Sequence, residues 1–440
     1  MPKNLVLIHL ESVSQMAFWQ FSAEMPVLFS LMHRSASFSR FYASSTSSVM
    51  SMADFIFGDS SEMDHLEVFP KNKGQLAGKS SNLFQILHDR GYSTYGLQYG
   101  SFCLGDAPSN FWGIWPDACG QFQWANNREN MQDGVKEFLT EAKGAGKPFA
   151  LYFWNMNTHL RDTDPLRDAN ASYSEGFREG YRLLDMSIKH LFDSLDSLGL
   201  LQDSIIVVFG DHGDDNFRHG IYRGRSHIID PYSTLCGCPL FIYNNNQDIV
   251  VTPQLTSMVD LKPTLLHMLF PNHPPEKQSS PFAGINILGG QREVAFSQSM
   301  FALQKERSDP GRAITKSYAV TNGDFRLMVS TPMDLDDTGG LEFFLEQWDY
   351  CNTRNLLDFC QMDNLGNITG FGDPDAVHPH YFLTFSQKHV EELVKSYDRL
   401  RQFLFQFVKT KEEEASKKYQ GETPHLFPED LFTRRRIKKV

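Results

Sequence analysis

A short apolar stretch near the start of the chain, residues 4–10, constrains the fold more than any other feature. It is apolar from Leu5 to Leu10 except for His9, and it is followed by Glu11. Such a run predicts a strand that is buried on both faces of a parallel sheet. Glu11 then lies at the carboxyl end of the strand, where open α/β sheets bind their ligands. A carboxylate there can bind a metal ion, although a lone carboxylate after a strand is also a common helix N-cap.

Three further apolar runs, at residues 148–156, 204–210 and 239–243, predict buried strands of the same kind. Amphipathic segments separate the predicted strands and predict helices, at residues 25–34, 83–90, 130–144, 174–198 and 259–269. Strands that alternate with helices indicate an α/β fold. We therefore predict a doubly wound mixed, mostly parallel sheet flanked by helices.

The alternation of predicted strands with predicted helices ends at about residue 300. Two β-prone runs, at residues 317–320 and 325–330, flank Asn322-Gly323-Asp324, which is typical of a hairpin turn. These runs predict a small C-terminal antiparallel α+β lobe, followed by a long helix. The predicted domains are a catalytic α/β domain at 1–300, a β-hairpin lobe at 301–380, and a helix with a basic tail at 381–440.

Composition and charge narrow the possible partners and location. The chain has 440 residues and a formal net charge of −12, which argues against nucleic acid as a partner. There is no secretory signal and no apolar stretch of about 18 residues, so we expect a cytoplasmic protein. Six cysteines without a CxxC pair are interpreted as reduced thiols. The basic end, TRRRIKKV, is either a solvated tail or a peripheral contact with an anionic membrane surface.

Acidic and imidazole groups follow two further predicted strands. Asp211 and His212 come directly after the strand at 204–210, and His159 follows the strand before it. We expect these groups to meet Glu11 at one edge of the sheet. Mixed carboxylate and imidazole ligands favour one divalent cation, Mn²⁺ or Zn²⁺, over Ca²⁺ or Mg²⁺.

A Ser-rich segment at residues 43–51 supplies hydroxyl groups. A bound metal can lower the pKa of a hydroxyl and make it a nucleophile. Taken alone, each of these signals is weak, because Ser-rich segments are commonly turns and Asp211 could also cap a helix. Their joint placement after successive strands favours a functional site.

Several motifs in the same order resemble the alkaline phosphatase/sulfatase superfamily across residues 4–360. GDHGDDNFRHG at 210–220 resembles the sulfatase pattern GDHGxxxGxHG, and MVDLKPTLL at 258–266 resembles a VDLxPTLL helix. FRLMV at 325–329 and LEQWDYCNTRNLLDF at 345–359 resemble the C-terminal hairpin of sulfatases. The resemblance implies a metal-dependent enzyme.

The resemblance also implies roles for particular residues. Ser48 matches the family nucleophile because Ser51 stands at +3 and Gly58, the glycine expected to end the helix, at +10. Thr46 and Ser47 are second choices. The implied metal ligands are Glu11, Ser48, Asp211 and His212. The resemblance places His159 and His227 near the transferred group and the leaving oxygen. We also expect His219, Trp112 and Arg225 to bind the substrate, although Trp112 fits a role in the core equally well.

Departures from the sulfatase pattern favour phosphoryl chemistry. Sulfatases that convert a Cys or Ser to formylglycine carry Pro or Ala at +2 and Arg at +4, where this chain has Met50 and Met52. A lone Glu11, in place of paired Asp, resembles the phosphoglycerol and phosphoethanolamine transferases. The segment GYSTYGLQYGSFCLG also lacks the sulfatase Lys-x-His.

The sequence therefore predicts a metal-dependent hydrolase or transferase that acts on phosphoesters through a covalent phospho-Ser48 intermediate. The expected partner is a phosphorylated or sulfated small molecule, lipid head group or glycan. One alternative is a sulfatase with the same fold. The other is a non-catalytic binding protein that retains the fold.

Overall fold

The computed structural model describes residues 3–60, 82–100, 115–120, 122–159, 173–214, 230–245, 250–272, 280, 282–304, 312–330, 341–347, 355–363, 366–371 and 387–419. Within these ranges the main sheet has nine strands, which are β1 (Asn4–Leu10), β2 (Ala36–Tyr42), β3 (Ser93–Tyr99), β4 (Phe122–Ala125), β5 (Phe149–Asn155), β6 (Ser204–Gly210), β7 (Gly237–Cys238), β8 (Leu240–Asn244) and β9 (Val251–Ser257).

The predicted mixed, mostly parallel sheet is confirmed. The strand order is β4-β3-β5-β1-β6-β8-β2-β7, and β9 pairs with β2. The central strand β1 runs parallel to both neighbours, β5 and β6, whereas β8 is antiparallel to β6. The carboxyl ends of β1, β5 and β6 therefore lie side by side at one edge of the sheet.

The α-helices of the described residues are α1 (Gln15–Gln20), α2 (Pro26–Met32), α3 (Ser48–Phe57), α4 (Leu83–Asp89), α5 (Arg128–Ala145), α6 (Tyr173–Ser197), α7 (Ser233–Cys236), α8 (Leu261–Leu269) and α9 (Gln387–Tyr419). The long helix predicted after the C-terminal lobe is α9, and it extends through a charged segment that is rich in good helix formers. Strand β9 has no counterpart in the prediction, since Pro253 argues against a strand.

Strand β1 packs into a separate hydrophobic core on each face of the sheet. Leu5 and Leu7 belong to one core, while Val6, Ile8 and Leu10 belong to the other. Because side chains alternate along a strand, every second residue after Leu7 points to the same face. His9 therefore lies on the same face as Leu5 and Leu7, within an element whose residues are all buried.

The predicted C-terminal antiparallel lobe is also confirmed. Four strands form one sheet in the order of the chain, and two form a small hairpin; they are β10 (Ala295–Gln304), β11 (Arg312–Thr321), β12 (Phe325–Ser330), β13 (Glu342–Gln347), β14 (Cys360–Met362) and β15 (Ile368–Phe371). Apolar residues of α9, among them Leu400 and Phe407, share a core with β11 and β12. The predicted turn at Asn322-Gly323-Asp324 joins these two strands.

Strand β10 of the second sheet supports the Ser-rich segment of the first. The backbone N–H of Gln298 donates to the carbonyl of Ser44 at 2.8 Å. The hydroxyl of Ser297 donates to the carbonyl of Ala43 at 2.6 Å. These contacts fix the chain just before α3.

Two further expectations concern cysteines and membranes. The four cysteines that fall in the described part of the chain are free, and three of them are buried. Among the described helices, none combines the length and apolarity needed to cross a bilayer. The basic end at 433–440 lies outside the described residues.

Candidate metal centre

Two carboxylates meet at the carboxyl ends of adjacent strands. Glu11 follows β1 and Asp211 follows β6, and the strands pair in register with Leu10 opposite Gly210. Helix α1 has Ser14 as its N-cap, which accepts from the N–H of Ala17. The capping role considered for Glu11 is therefore wrong.

Imidazole groups complete the cluster around the carboxylates. Ligand atoms of His9, Glu11 and Asp211 all lie within 4.8 Å of one another. His212 Nε2 lies 3.8 Å from Glu11 Oε1 and 3.4 Å from Asp211 Oδ2. All four side chains are fully buried.

The hydroxyl of Ser48 lies on this cluster. Its Oγ donates to Glu11 Oε1 at 2.9 Å and lies 2.9 Å from His212 Nε2. The hydroxyl of Thr46 instead donates to Ser299 Oγ at 2.9 Å. The structure thus brings Ser48, rather than Thr46, to the predicted metal ligands.

Helix α3 positions Ser48 as its first residue. Ser51 Oγ donates to the carbonyl of Ser45 at 3.0 Å, which ties the helix to the preceding segment. Gly58 ends the helix with a left-handed φ of 70°, a conformation that favours glycine. The glycine at +10 and the serine at +3 therefore have structural roles that hold Ser48 in place.

Side chains outside the predicted set hold the two carboxylates. Ser12 has a φ of 56°, its N–H donates to Asp211 Oδ1 at 3.0 Å, and its Oγ donates to Glu11 Oε1 at 3.0 Å. Trp154 Nε1 donates to Glu11 Oε2 at 2.8 Å. Trp154 lies in an apolar run that predicted only a core strand, so the sequence did not single it out.

The contacts of His212 favour the ring tautomer that has its lone pair on Nε2. Its Nδ1 lies 3.1 Å from the carbonyl of Gly213, which can accept only from a protonated nitrogen. A neutral ring with its proton on Nδ1 has its lone pair on Nε2, on the side of Ser48. A backbone carbonyl that fixes the second ring nitrogen is typical of histidines that bind metals.

The two buried carboxylates have opposite acid–base behaviour. Burial, followed by the charge of Asp211, raises the pKa of Glu11 well above its ordinary value. Burial also opposes ionisation of Asp211, but the positive charge that His212 and His9 carry when protonated outweighs it and holds the pKa of Asp211 below its usual range. One carboxylate therefore ionises readily, while its neighbour resists a second buried negative charge.

The cluster fits a divalent cation. His9 Nε2 and Asp211 Oδ2 lie 3.1 Å apart, yet neither of these buried atoms makes a well-directed hydrogen bond within the part of the chain that the structure describes. Buried polar atoms of this kind are uncommon and point to a missing partner. Carboxylate oxygens and imidazole nitrogens at such short separations are the ligands that Mn²⁺ and Zn²⁺ accept.

The remaining predicted residues are only partly covered by the structure. His159 is buried in the turn after β5, next to Thr158, whose hydroxyl donates to the carbonyl of Glu11 at 2.6 Å. The other four lie outside the described residues, namely Trp112, His219, Arg225 and His227.

Comparison with known proteins assigns the chain to a family. The Sulfatase family model matches residues 3–269, which is more than half of the chain. The chain belongs to the Sulfatase family. This match agrees with the resemblance to the alkaline phosphatase/sulfatase superfamily that the motifs indicated.

One curated relative is lipoteichoic acid synthase 2 of Bacillus subtilis. It is 30% identical over 162 residues, which cover 32% of this chain and 25% of the relative. The match therefore spans about a quarter of the relative's length.

Solved structures share the fold. A protein of the alkaline phosphatase superfamily from Vibrio parahaemolyticus is 16% identical, covers 79% of this chain and 80% of its own, and has a TM-score of 0.53. A Bacteroides thetaiotaomicron protein from a locus for glycosaminoglycan metabolism is 14% identical, covers 81% of this chain and 93% of its own, and has a TM-score of 0.57. At these identities the likeness concerns the fold alone.

Proposed function

We propose that the protein is a metal-dependent hydrolase or transferase that acts on phosphoesters, with Ser48 as the nucleophile. The observation that carries this proposal is the position of the Ser48 hydroxyl, 2.9 Å from both Glu11 Oε1 and His212 Nε2. A buried hydroxyl among carboxylate and imidazole groups suits a nucleophile that must lose its proton.

Glu11, Ser48, Asp211 and His212 would hold one Mn²⁺ or Zn²⁺ ion. When bound, the cation would lower the pKa of the Ser48 hydroxyl and offset negative charge on the transferred group. Trp154 and Ser12 keep the Glu11 carboxylate in place by donating to its two oxygens. Such supporting hydrogen bonds commonly decide how well a metal site is formed.

In the proposed reaction, Ser48 attacks the phosphoryl group from its position in the first turn of α3. Ser48 Oγ gives up its proton to solvent and forms a bond to phosphorus, and the bond from phosphorus to the leaving oxygen breaks. The first amides of a helix have no partner within the helix and carry partial positive charge, so they favour a phosphoryl group there. His159 and His227 supply a proton to the leaving oxygen, and water or an acceptor hydroxyl then releases the phosphoryl group from Ser48.

Two features favour phosphate over sulfate. Met50 and Met52 stand where sulfatases that make formylglycine carry Pro or Ala and Arg, so Ser48 acts as an unmodified serine. The curated relative is named as a lipoteichoic acid synthase rather than as a sulfatase. The expected substrate is a phosphorylated small molecule, lipid head group or glycan, and contact with a membrane through the basic end is part of the same proposal.

A matched set of substrates tests the proposal. Aryl phosphate monoester, aryl phosphate diester and aryl sulfate are offered to the Mn²⁺-loaded protein, to the Zn²⁺-loaded protein and to protein treated with a chelator. We expect metal-dependent turnover of a phosphate ester that exceeds turnover of the sulfate. Turnover of the sulfate alone would contradict the proposal, and a protein that binds no metal and turns over none of the esters would be a binding protein.

Sulfate ester hydrolysis is the second candidate. The match to the Sulfatase family model favours it, as does the fold shared with a protein from a glycosaminoglycan locus. Under this alternative Ser48 attacks sulfur instead of phosphorus at the same cluster. The aryl sulfate in the substrate set decides between the two.

A further inference from the structure

A stack of three rings lies directly beneath the proposed metal ligands. His9 pairs with Trp154 on one neighbouring strand and with Phe209 on the other. Its ring is stacked on Trp154 at 4.9 Å with an interplanar angle of 7°, and on Phe209 at 5.4 Å with an angle of 12°. The two aromatic rings clamp the imidazole, so its two nitrogens have fixed directions.

The two nitrogens of His9 connect a tyrosine to a proposed metal ligand. Nδ1 lies 2.7 Å from the hydroxyl of Tyr152, and Nε2 lies 3.1 Å from Asp211 Oδ2. Both His9 and Tyr152 are buried. A buried histidine with a polar atom within about 3 Å of each nitrogen is more than a packing residue, because an apolar ring would fill the same stack.

The position of His9 favours a supporting role over direct metal binding. Ser48 and His212 face the Oε1 atom of Glu11, whereas His9 is closest to Oε2, at 4.0 Å. Trp154 donates to the same Oε2 atom. His9 and Trp154 therefore approach Oε2 of Glu11, whereas Ser48 and His212 approach Oε1.

We propose that His9 is a positioning residue that holds Asp211 for the metal, through a chain in which Tyr152 donates to Nδ1 and the resulting Nε2–H makes a polar contact with Asp211 Oδ2 at 3.1 Å. A tyrosine that donates to Nδ1 leaves the proton of the neutral ring on Nε2. A carboxylate oxygen has two lone pairs, so Oδ2 can keep this contact with His9 and still bind a cation. This inference rests on the proposed metal centre.

Three variants separate the possible roles of His9. His9→Phe keeps an aromatic ring in the stack and removes both nitrogens. His9→Gln keeps a donor near the position of Nε2. Tyr152→Phe removes only the hydroxyl that sets the proton on the ring. Tyr181→Phe, at a buried tyrosine of α6, is the matched control for loss of a hydroxyl.

The readouts are Mn²⁺ affinity of the metal-free protein, measured by titration, and pulsed electron paramagnetic resonance of bound Mn²⁺, which detects directly bound imidazole nitrogen. We expect His9→Phe to weaken affinity by about 10- to 100-fold, a usual effect for residues that support metal ligands. His9→Gln should recover most of the loss, and Tyr152→Phe should fall between the two. The nitrogen signal, assigned to His212, should persist in every variant.

Other outcomes would overturn the inference. Equal affinity of His9→Phe and the unmodified protein would give His9 no role at the metal, and loss of a nitrogen signal in His9→Phe would make it a direct ligand. If His9→Phe does not fold, Tyr152→Phe decides by the same titration, and unchanged affinity there contradicts the chain. A parent protein that binds neither Mn²⁺ nor Zn²⁺ refutes the proposed function itself.

Discussion

Ser48 Oγ lies 2.9 Å from His212 Nε2, although the two residues are 164 positions apart in the chain. Helix α3 presents the serine, and the end of β6 presents the histidine. The Gly213 carbonyl keeps a proton on Nδ1 of the histidine, so Nε2 offers a lone pair toward the serine. One hydroxyl proton thus faces two acceptors, Glu11 and His212, and a cation is the natural means of satisfying both.

Replacement of Ser48 by alanine should abolish turnover while the protein stays folded. We expect a loss of at least about 10³-fold in kcat, as for other nucleophiles, because no other hydroxyl contacts both Glu11 and His212 in the described residues. Ser47→Ala is the matched control, since Ser47 makes no side-chain cap bond to α3. Steady-state kinetics measure both variants. Full activity in Ser48→Ala, or equal losses in the two, would contradict the assignment.

Metal affinity should rise with pH. Burial and the charge of Asp211 raise the pKa of Glu11, so the metal-free folded protein keeps a proton on Glu11 above the unfolded value of about 4.3. This group stabilises the folded state fully below the unfolded pKa, and the contribution is lost as the pH rises through the folded pKa. A cation displaces that proton, so its binding competes with protonation.

The measurement for this prediction is the rise in unfolding temperature on addition of Mn²⁺ between about pH 5 and about pH 8. The rise should be larger at the higher pH. The lowered pKa of Asp211 acts in the opposite sense, since its contribution is present above the unfolded value and lost only in stronger acid. A rise that is constant or larger at low pH would count against the cluster as the binding site.

The stabilities of two variants should show whether the backbone of Ser12 is strained. Ser12→Ala and Ser12→Gly both lose the hydrogen bond to Glu11, but only alanine keeps a Cβ at the left-handed φ of 56°. We expect Ser12→Gly to be more stable than Ser12→Ala by about 1 kcal/mol. Urea unfolding of the metal-free proteins measures the difference. If alanine is the more stable of the two, the backbone of Ser12 is not strained.

A buried ion pair outside the site should contribute more to the free energy of unfolding than an exposed ion pair. Asp260 is fully buried and accepts from Arg292 Nε at 2.9 Å and Nη2 at 2.5 Å. Arg292→Gln should cost about 3–5 kcal/mol of unfolding free energy, because it leaves a buried carboxylate without its charge partner. The exposed pair of Arg399 and Glu293 is the control, and Arg399→Gln should cost at most about 1 kcal/mol. If chemical unfolding shows similar losses of stability for Arg292→Gln and Arg399→Gln, the buried pair is no more important than the exposed one.

The sequence predicts the strands that carry the site and the acidic and imidazole residues at their ends, because two simple rules determine them. Long apolar runs are buried in parallel strands, and residues at the carboxyl ends of adjacent strands meet. Glu11, Asp211 and His212 follow from these rules alone. Ser48 does not, since several hydroxyls lie close together and only the resemblance to the superfamily singled out Ser48 as the proposed nucleophile.

The supporting residues are harder to predict. His9 interrupts an apolar run, and only its spacing of two from Glu11 signals that both side chains share a face of β1. Trp154 is indistinguishable from a core residue until its N–H is seen to reach Glu11. The left-handed backbone of Ser12 has no sequence signal, because serine seldom adopts it without a tertiary contact such as the one to Asp211.

The central claim is that Ser48 forms a covalent bond to phosphorus. The most direct measurement is peptide mass spectrometry after rapid acid quench of the Mn²⁺-loaded protein with the phosphate ester that it turns over best. We expect a phosphoryl group on Ser48 that depends on metal and is absent from Ser48→Ala. A phosphoryl group on Thr46 or Ser47, or a sulfuryl group on Ser48 with the aryl sulfate as the only substrate, would contradict the claim.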